Sequence, residues 1–342
     1  MHEITVDGRS GRSRILVGER LVRLERYLPA GHTILITDET VGRLYQSQFP
    51  DLPTITIGCG ESHKTLDTLA AIYDRLIALE ADRASFIVGI GGGIVGDVTG
   101  FAASTYMRGV PFAFVATTLL AQVDATVGGK NGINFKGYKN MVGVFNQPRF
   151  VIADIGLLHT LPPGQIAGGL AEIVKHACIA DRDYFTFIEN HCEAIQSLNE
   201  EVLLELVRRS VEIKAEVVNR DERESGERRK LNFGHTLGHA LEKRLGISHG
   251  QAVSVGMVLA ARLSHHKGLL SGDELERIIA LLARLDLPTT LAFDRRSVFE
   301  ALKKDKKRER DQIHFVLLQG LGKALVAPIA IDELERWLLD TQ

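Results

Sequence analysis

Residues 85–109 read SFIVGIGGGIVGDVTGFAASTYMRG, and this stretch decides the class of the fold. A continuous apolar run ends in three glycines, Gly91 to Gly93, and a segment that opens a helix follows at once. A short, fully apolar run predicts a strand buried on both faces, as in parallel sheets covered by helices. Glycines after such a strand let backbone N–H groups approach a phosphate at the helix N-terminus. The spacing is neither GxGxxG nor a P-loop, so tight strand–helix packing stays open as an alternative.

The same alternation of apolar runs and helical stretches extends to both sides of this segment. Further strands are predicted at HTILITD (32–38), TITIG (54–58), FAFVATT (112–118) and RFVIAD (149–154). Apolar strands separated by helices predict an α/β fold with a parallel sheet. We therefore expect a Rossmann-like nucleotide-binding domain at residues 1–160.

After Leu161-Pro162-Pro163 the pattern becomes helical from about residue 164 to 305. Near the end, IHFVLLQGLGKALVAP (313–328) predicts a hairpin that turns at Gly320 to Gly322. We expect residues 161–342 to form a second, mainly α-helical domain that carries metal and substrate groups. Two domains also agree with a length of 342 residues.

Composition excludes several classes of protein. The formal net charge of −2 gives no support for electrostatic binding to nucleic acid or to an anionic membrane. The N-terminus has no apolar core of the signal-peptide type, and no apolar run approaches about 18 residues. The three cysteines, Cys59, Cys178 and Cys192, lack CxxC spacing and are typical of reduced thiols in a cytosolic protein.

Polar groups follow several of the predicted strands. Asp38 ends one strand, Gly60-Glu61-Ser62-His63-Lys64 follows the next, and Thr117-Thr118 follows FAFVA. Because parallel strands end at one edge of a sheet, these groups and the glycine loop predict a nucleotide site. Downstream, Asp124, Gly128-Gly129-Lys130 and Lys139-Asn140 place cations and hydrogen-bonding groups that suit a phosphorylated polyol.

The histidine-rich stretch RRKLNFGHTLGHALEKRLGISHG (228–250) predicts a metal site. His235 and His239 stand four residues apart at helical spacing, and His249 opens the next helix. With Glu172 they would make the carboxylate-and-imidazole set of a catalytic zinc site. Glu172 also lies three residues before Lys175, which a routine surface ion pair would explain equally well. Spacing alone does not bring Glu172 to these histidines, and three unrelated histidines are the alternative.

Several segments together resemble the 3-dehydroquinate synthase family of sugar-phosphate cyclases. The matching segments occur in order over most of the chain: GGGIVGD, TTLLAQVDATVGGK, GYKNMVGVF, LPPGQIAGGLAEIVKH, IKAEVVNRDERESG, LNFGHTLGHALE, SHGQAVSVGM and KKDKK. The resemblance implies a carbon–oxygen lyase that converts 3-deoxy-D-arabino-heptulosonate 7-phosphate into 3-dehydroquinate and phosphate, in the shikimate pathway of aromatic amino acid biosynthesis. It also implies catalytic NAD, a divalent metal (zinc or cobalt), a cytoplasmic homodimer, and no nucleic-acid or membrane partner.

The resemblance assigns roles to individual residues of this sequence. It makes Glu172, His235 and His249 the metal ligands. It places His239 at the substrate, whereas the i, i+4 spacing from His235 would suggest a metal ligand. The positions that it places at NAD are Asp38, Gly60, Glu61, Lys64, Gly93, Ile94, Val95, Gly96, Asp97, Thr117, Thr118, Lys130, Lys139 and Thr160. The positions that it places around the substrate are Arg108, Asp124, Lys130, Asn140, Lys175, Lys214, Arg228, Asn232, His239 and Lys306. Lys307 could take the place of Lys306.

Three positions depart from the family pattern. Gln251 stands where glutamate is usual, Asn131 where threonine is common, and Ala116 where proline is common. We expect Gln251 to weaken support for His249 and so to lower metal affinity. The rival interpretations are a metal-dependent polyol or glycerol-phosphate dehydrogenase, another sugar-phosphate cyclase, and a non-catalytic nucleotide-binding regulator.

Overall fold

The structure is a computed structural model that describes residues 1–303, 308–309 and 312–340. The strands are β1 His2–Gly8, β2 Gly11–Val17, β3 Thr33–Asp38, β4 Thr54–Ile57, β5 Phe86–Gly91, β6 Phe112–Ala116, β7 Lys130–Phe135, β8 Tyr138–Phe145, β9 Phe150–Ala153, β10 Arg308–Glu309, β11 Gln312–Leu318 and β12 Ala324–Ala330. The α-helices are α1 Glu39–Tyr45, α2 Leu66–Ala78, α3 Gly93–Thr105, α4 Pro163–Ala180, α5 Arg182–Asn190, α6 Cys192–Gln196, α7 Glu200–Arg220, α8 His235–Leu245, α9 His249–His266, α10 Gly272–Arg284, α11 Arg295–Lys303 and α12 Ile331–Asp340. Short 3₁₀ segments occur at Leu21–Tyr27, Gln46–Gln48, Glu61–His63, Tyr106–Arg108, Ile155–Thr160 and Glu227–Asn232, and a π turn at Ala121–Ala125.

The chain forms two compact units. The first contains Met1–Pro162 and Leu203–Glu222, and the second contains Pro163–Val202 and the described part of Arg223–Gln342. Most of α7 therefore belongs to the first unit, which differs from a single division of the chain at residue 160. No helix among the described residues is long and apolar enough to cross a membrane.

The first unit is built on a seven-stranded sheet in the order β1-β2-β9-β6-β5-β3-β4. β1 pairs with β2 antiparallel, and every other neighbouring pair is parallel. All six residues of β5 are buried, as the apolar run predicts for a central strand. The predicted parallel α/β sheet is thus confirmed, whereas the β1–β2 hairpin and the β7–β8 hairpin were not predicted.

The strand order places a topological switch point between β3 and β5. From β3 the chain moves outward to β4, and from β5 it moves through β6 toward the opposite edge of the sheet. In doubly wound sheets, ligands bind beyond the carboxyl ends of the strands at such a point. The loops that leave β3 and β5 begin at Asp38 and at Gly91, so the polar strand ends of the sequence lie at this position.

Polar contacts join helix α7 to the rest of the first unit, and no sequence pattern predicts them. Asn219 accepts a hydrogen bond from the Asp7 backbone N–H at 2.8 Å, and buried Glu222 accepts one from the Gln147 amide at 2.9 Å. Ser10 also donates to Glu222. These contacts fasten the C-terminal end of α7 beside the β1–β2 hairpin and place Lys214 in the first unit.

The second unit consists of helices around α4, α8 and α9, with an antiparallel sheet of β10, β11 and β12. The hairpin expected near the end of the chain is confirmed, because β11 pairs with β12 from Leu318 and Ala324 outward. Helices α8 and α9 pack closely: a Cβ atom on Gly256 would lie 2.0 Å from the Gly234 carbonyl oxygen. This close approach places the beginning of α8 against the middle of α9. Each of the two helices begins at a histidine.

Candidate active site

Three side chains of the second unit converge from three helices. Glu172 lies in the middle of α4, His235 is the first residue of α8, and His249 is the first residue of α9. Gly234, at φ +79°, turns the chain into α8, and Ser248 caps α9 through its hydroxyl. Helix starts give well-defined side-chain positions, so these local features place both imidazoles.

The geometry of this cluster suits a divalent metal. The Nε2 atoms of His235 and His249 lie 3.3 and 3.2 Å from the same carboxylate oxygen, Glu172 Oε1. One ligand atom from each residue falls within 4.8 Å of the others. A carboxylate with two imidazoles is a donor set that zinc and cobalt accept, and it leaves coordination positions for a substrate. The residues present therefore fit the metal that the resemblance implies.

The electrostatics of the cluster favour an ionised carboxylate. Burial alone would raise the pKa of Glu172, but Lys175 and His235 beside it hold that pKa well below its usual range. Lys175 forms a buried ion pair with Glu172, so the routine surface pair is excluded as an explanation. Burial lowers the pKa of His235, whereas the carboxylates of Glu172 and Glu242 beside the ring outweigh burial and raise the pKa of His249 to about 10. A metal that binds His249 at neutral pH therefore displaces a proton.

His239 lies beside this cluster without joining the set around Glu172. Its ring is 5.2 Å from the His235 ring and 6.3 Å from the His249 ring, measured between centroids. It is exposed, whereas His235 is 8% exposed. The i, i+4 spacing correctly predicted that His235 and His239 are neighbours, but spacing could not tell which of them faces the carboxylate.

Other polar residues of the second unit come from the 3₁₀ segment Glu227–Asn232. Arg228 is buried at 3% exposure, and the Asn232 amide donates to the Glu224 carboxylate. A buried guanidinium suits a bidentate contact with a carboxylate or phosphate. Lys306, with Lys307 as its alternative, lies outside the residues that the structure describes.

In the first unit, the expected nucleotide residues gather at one edge of the sheet. Asp38 ends β3 and caps α1 by accepting from the Val41 N–H at 2.9 Å. The loop with Gly60, Glu61 and Lys64 follows β4, the turn at Gly93, Ile94, Gly96 and Asp97 follows β5, and Thr117 and Thr118 follow β6. Thr160 ends the 3₁₀ segment after β9 and contacts the Tyr45 hydroxyl.

The geometry of the glycine loop is compatible with both alternatives that the sequence left open, tight packing and an approach to a phosphate. Gly91 packs tightly, because a Cβ atom there would lie 2.5 Å from the Val95 side chain, which is itself 1% exposed. Val95 can therefore offer a ligand only its backbone. Gly92 and Gly93 open α3 without a side-chain cap, so the first N–H groups of the helix remain available for a phosphate.

Asn134, which no sequence motif indicates, organises part of this edge. Its amide donates to Glu61 Oε1 at 2.8 Å, and its amide oxygen accepts from the Asn140 N–H at 3.0 Å. Its own N–H donates to the Lys64 carbonyl at 2.9 Å. Lys64 in turn donates to Asn140 at 2.6 Å. Asn134 thus ties the β7–β8 hairpin to the loop after β4, and only the unpredicted hairpin could have revealed it.

An ion pair in this unit joins Lys64 to Asp97. Burial raises the pKa of Asp97 to about 6, although Lys64 beside it acts to lower it. Another pair joins Lys214 to Asp124, whose carboxylate and backbone carbonyl both accept from Nζ at 2.5 Å. Lys130 and Lys139 are exposed on the β7–β8 hairpin, and their charges can approach an anion from that side.

Arg108 lies away from the other expected residues of the first unit. It follows α3, whose 13 residues run from the glycine loop to the opposite edge of the sheet. At 1.5 Å per residue this separates Arg108 from the glycine loop by about 20 Å. Arg108 is exposed and adopts φ +71°, next to Met107 at φ +49°. Such strained backbone is typical of functional positions.

The departures from the family pattern have local explanations. Gln251 is exposed and completes a capping box with Ser248 at 3.0 to 3.4 Å, so its side chain gives His249 no support, as expected. Its effect on metal affinity stays a prediction. Buried Asn131 donates to the Gly129 carbonyl at 3.0 Å and to the Asn146 carbonyl at 2.9 Å. Ala116 is the buried last residue of β6.

Comparisons with known proteins agree with this arrangement. Residues 54–168 match a family model described as 3-dehydroquinate synthase N-terminal, and residues 169–308 match one described as 3-dehydroquinate synthase C-terminal. A curated relative from Halorhodospira halophila (strain DSM 244 / SL1) named 3-dehydroquinate synthase is 45% identical over 322 residues, covering 91% of each chain.

Two solved structures resemble the whole chain at 29% identity. One is 2-deoxy-scyllo-inosose synthase complexed with carbaglucose-6-phosphate, NAD+ and Co2+, with a TM-score of 0.88 over 98% of this chain and 99% of that one. The other is 2-epi-5-epi-valiolone synthase from Streptomyces hygroscopicus subsp. jinggangensis 5008 with NAD+ and Zn2+ bound, with a TM-score of 0.87 over 99% and 97%. The two family models together span residues 54–308, and the curated relative is more similar to this chain, at 45% identity, than either cyclase. The chain therefore belongs to the 3-dehydroquinate synthase family.

Proposed function

We propose that the protein is an NAD- and metal-dependent lyase that converts 3-deoxy-D-arabino-heptulosonate 7-phosphate into 3-dehydroquinate and phosphate. The observation that carries this proposal is the identity of 45% with a 3-dehydroquinate synthase over 91% of both chains. The cyclases that make other carbocycles are less similar, at 29% identity. A polyol dehydrogenase or a non-catalytic regulator would have less use for the many buried cationic groups.

In this proposal the second unit holds the metal through Glu172, His235 and His249. Bound there, the metal supplies a Lewis acid for substrate oxygens, and NAD at the first unit supplies reversible hydride transfer. Lys175 keeps a positive charge against Glu172, which holds the carboxylate in its ionised, metal-binding form. His239, exposed beside the cluster, is placed to exchange a proton with the substrate.

The cationic side chains suit a substrate that carries both a phosphate and a carboxylate group. Arg228 offers a planar, bidentate donor set, whereas Lys130 offers a compact point charge. Lys214 is 5% exposed and held by Asp124, so its position is fixed before a substrate arrives. Fixed donors in a partly buried site stabilise a developing negative charge without reorganisation.

The test is a product assay on the full chain with catalytic amounts of NAD and added zinc or cobalt. We expect phosphate and 3-dehydroquinate in equal amounts, with no accumulation of NADH. One NADH per substrate would indicate a dehydrogenase, and turnover of sedoheptulose 7-phosphate or glucose 6-phosphate instead would indicate another cyclase. Glu172→Gln should abolish turnover, whereas the exposed Glu276→Gln in α10 serves as the matched control.

We also infer that the working form is a homodimer in which Arg108 acts on the partner copy. The observation that supports this is the separation of about 20 Å between Arg108 and the nucleotide edge of its own unit. Mixing inactive Arg108→Ala and Lys175→Met chains should then restore about a quarter of the activity, because half of the dimers carry one intact site. Failure to regain activity would show that Arg108 does not act across copies.

The cytoplasm is the compartment that we propose. Cys59, Cys178 and Cys192 are free thiols, as expected for a reducing environment. The proposed reaction also depends on NAD. Fractionation of the native host, followed by the product assay on each fraction, tests this assignment.

A further inference from the structure

His249 presents both ring nitrogens to carboxylates. Its Nε2 lies 3.2 Å from Glu172 Oε1, and its Nδ1 lies 3.6 Å from Glu242 Oε2. Glu242 stands on α8, seven residues after His235, and its side chain is 13% exposed. The carboxylate of Glu242 therefore reaches His249 from the helix that also carries His235.

His235 has an equivalent arrangement with a different acceptor. Its Nε2 faces Glu172 Oε1 at 3.3 Å, and its Nδ1 lies 3.2 Å from the Phe233 carbonyl oxygen. Histidines that bind metals commonly donate the second ring N–H to a carboxylate or a carbonyl, which fixes the tautomer and the ring orientation. Both imidazoles of the cluster match this pattern, with a carbonyl for one and Glu242 for the other.

Gln251, two positions after His249 on the same helix, does not provide this support. Gln251 uses its side-chain oxygen to accept from the N–H and the hydroxyl of Ser248. It is exposed at the third position of α9, and its role there is to cap the helix. Glu242 is accordingly the carboxylate that the structure places at His249 Nδ1.

We propose that Glu242 is the positioning residue of His249, and this inference rests on the proposed metal site. Glu242 faces Nδ1 of His249, which orients the ring so that Nε2 points at Glu172 and at the proposed metal site. The contact of 3.6 Å is an ion pair, and a carboxylate at this position would accept the Nδ1–H if His249 held a metal through Nε2.

A competing role for Glu242 is ligation of a second metal. Atoms of His239, Glu242 and His249 also lie within 4.8 Å of one another. That site would need His249 Nδ1 as a ligand while Nε2 serves the site at Glu172, so the ring would have to lose both protons. Neutral imidazole binds a metal through one nitrogen, which favours the positioning role.

The experiment compares zinc and cobalt affinity and stoichiometry, without substrate, by competition with a chromophoric chelator. For Glu242→Gln we expect one metal per chain and an affinity 10- to 100-fold lower, with the metal-free protein as stable as wild type. Glu242→Asp should recover part of the loss. Gln251→Glu is the control, and it should bind metal within twofold of wild type.

Unchanged affinity in Glu242→Gln would overturn the proposal, as would two metals in wild type and one in the variant. The glutamine is nearly isosteric, so a failure to fold is not expected to obscure the result. A wild type that binds one metal but makes no dehydroquinate would contradict the proposed function and leave this inference standing. A wild type that binds no metal would contradict both.

Discussion

Gly250 tests whether the spacing of helices α4 and α9 sets metal affinity. A Cβ atom at Gly250 would lie 2.6 Å from Gly168 Cα and 3.1 Å from Gly168 N. The atoms that it would meet belong to backbone, so no flexible side chain can move aside. Gly168 stands one helical turn before Glu172, and Gly250 directly follows His249. Gly250→Ala therefore acts at the contact that brings these two ligands together.

The size of the effect follows from these distances. An ordinary carbon–carbon contact of about 3.4 Å requires the two helices to separate locally by about 0.8 Å. Metal–ligand distances tolerate about 0.2 Å, so Gly250→Ala should weaken zinc binding by at least about tenfold, or ~1.4 kcal/mol. Overpacking costs about 1–3 kcal/mol of folding free energy, and the better helix propensity of alanine returns about 1 kcal/mol.

The matched control is Gly168→Ala, at the other side of the same contact. A Cβ atom at Gly168 would meet no atom within 4 Å. We expect this variant to keep its zinc affinity and to gain up to about 1 kcal/mol of stability. Chelator competition measures zinc affinity, and urea unfolding of the metal-free proteins measures stability. Equal zinc affinities in Gly250→Ala and wild type would refute the reasoning, and so would an equal loss in both variants.

Three further predictions concern the first unit. Asn134→Ala removes two side-chain hydrogen bonds of about 1 kcal/mol each, so calorimetry should show NAD affinity lower by up to about 30-fold. An unchanged affinity would contradict the role of this residue. Carboxyl NMR of the NAD-free protein should show Asp97 ionising with a pKa of about 6, because burial raises the pKa of its carboxyl. Lys64→Met should raise that pKa further, since Lys64 acts to lower it. A pKa near the ordinary value of about 4 would show that burial does not raise it. Lys214→Met removes the cation at Asp124 and should lower the free energy of unfolding by about 2 kcal/mol in urea titrations. A variant that loses activity but keeps its free energy of unfolding would show that Lys214 serves substrate binding and does not stabilise the fold.

The architecture of the first unit could be predicted from the sequence because buried strands leave a local pattern of apolar residues. Strands β3, β5 and β6 are covered on both faces, so they appear as continuous apolar runs bounded by helical segments. The hairpins β1–β2 and β7–β8 are partly exposed and carry mixed polar and apolar residues. Their pattern is weaker, and Asn134 was overlooked with them.

For the candidate site, the sequence by itself determined the donor types and the helices that carry them. Helical periodicity put His235 and His239 on one face and paired Glu172 with Lys175. The family resemblance named Glu172, His235 and His249 as one set, and the tertiary structure brings both imidazoles to Glu172. Only the tertiary structure decided that Glu242 stands behind His249 and that Arg108 lies at the far edge of its sheet. The physical reason is that the spacing of residues along the sequence fixes only neighbours within one helix or strand. Contacts between helices and strands depend on how closely their backbones pack.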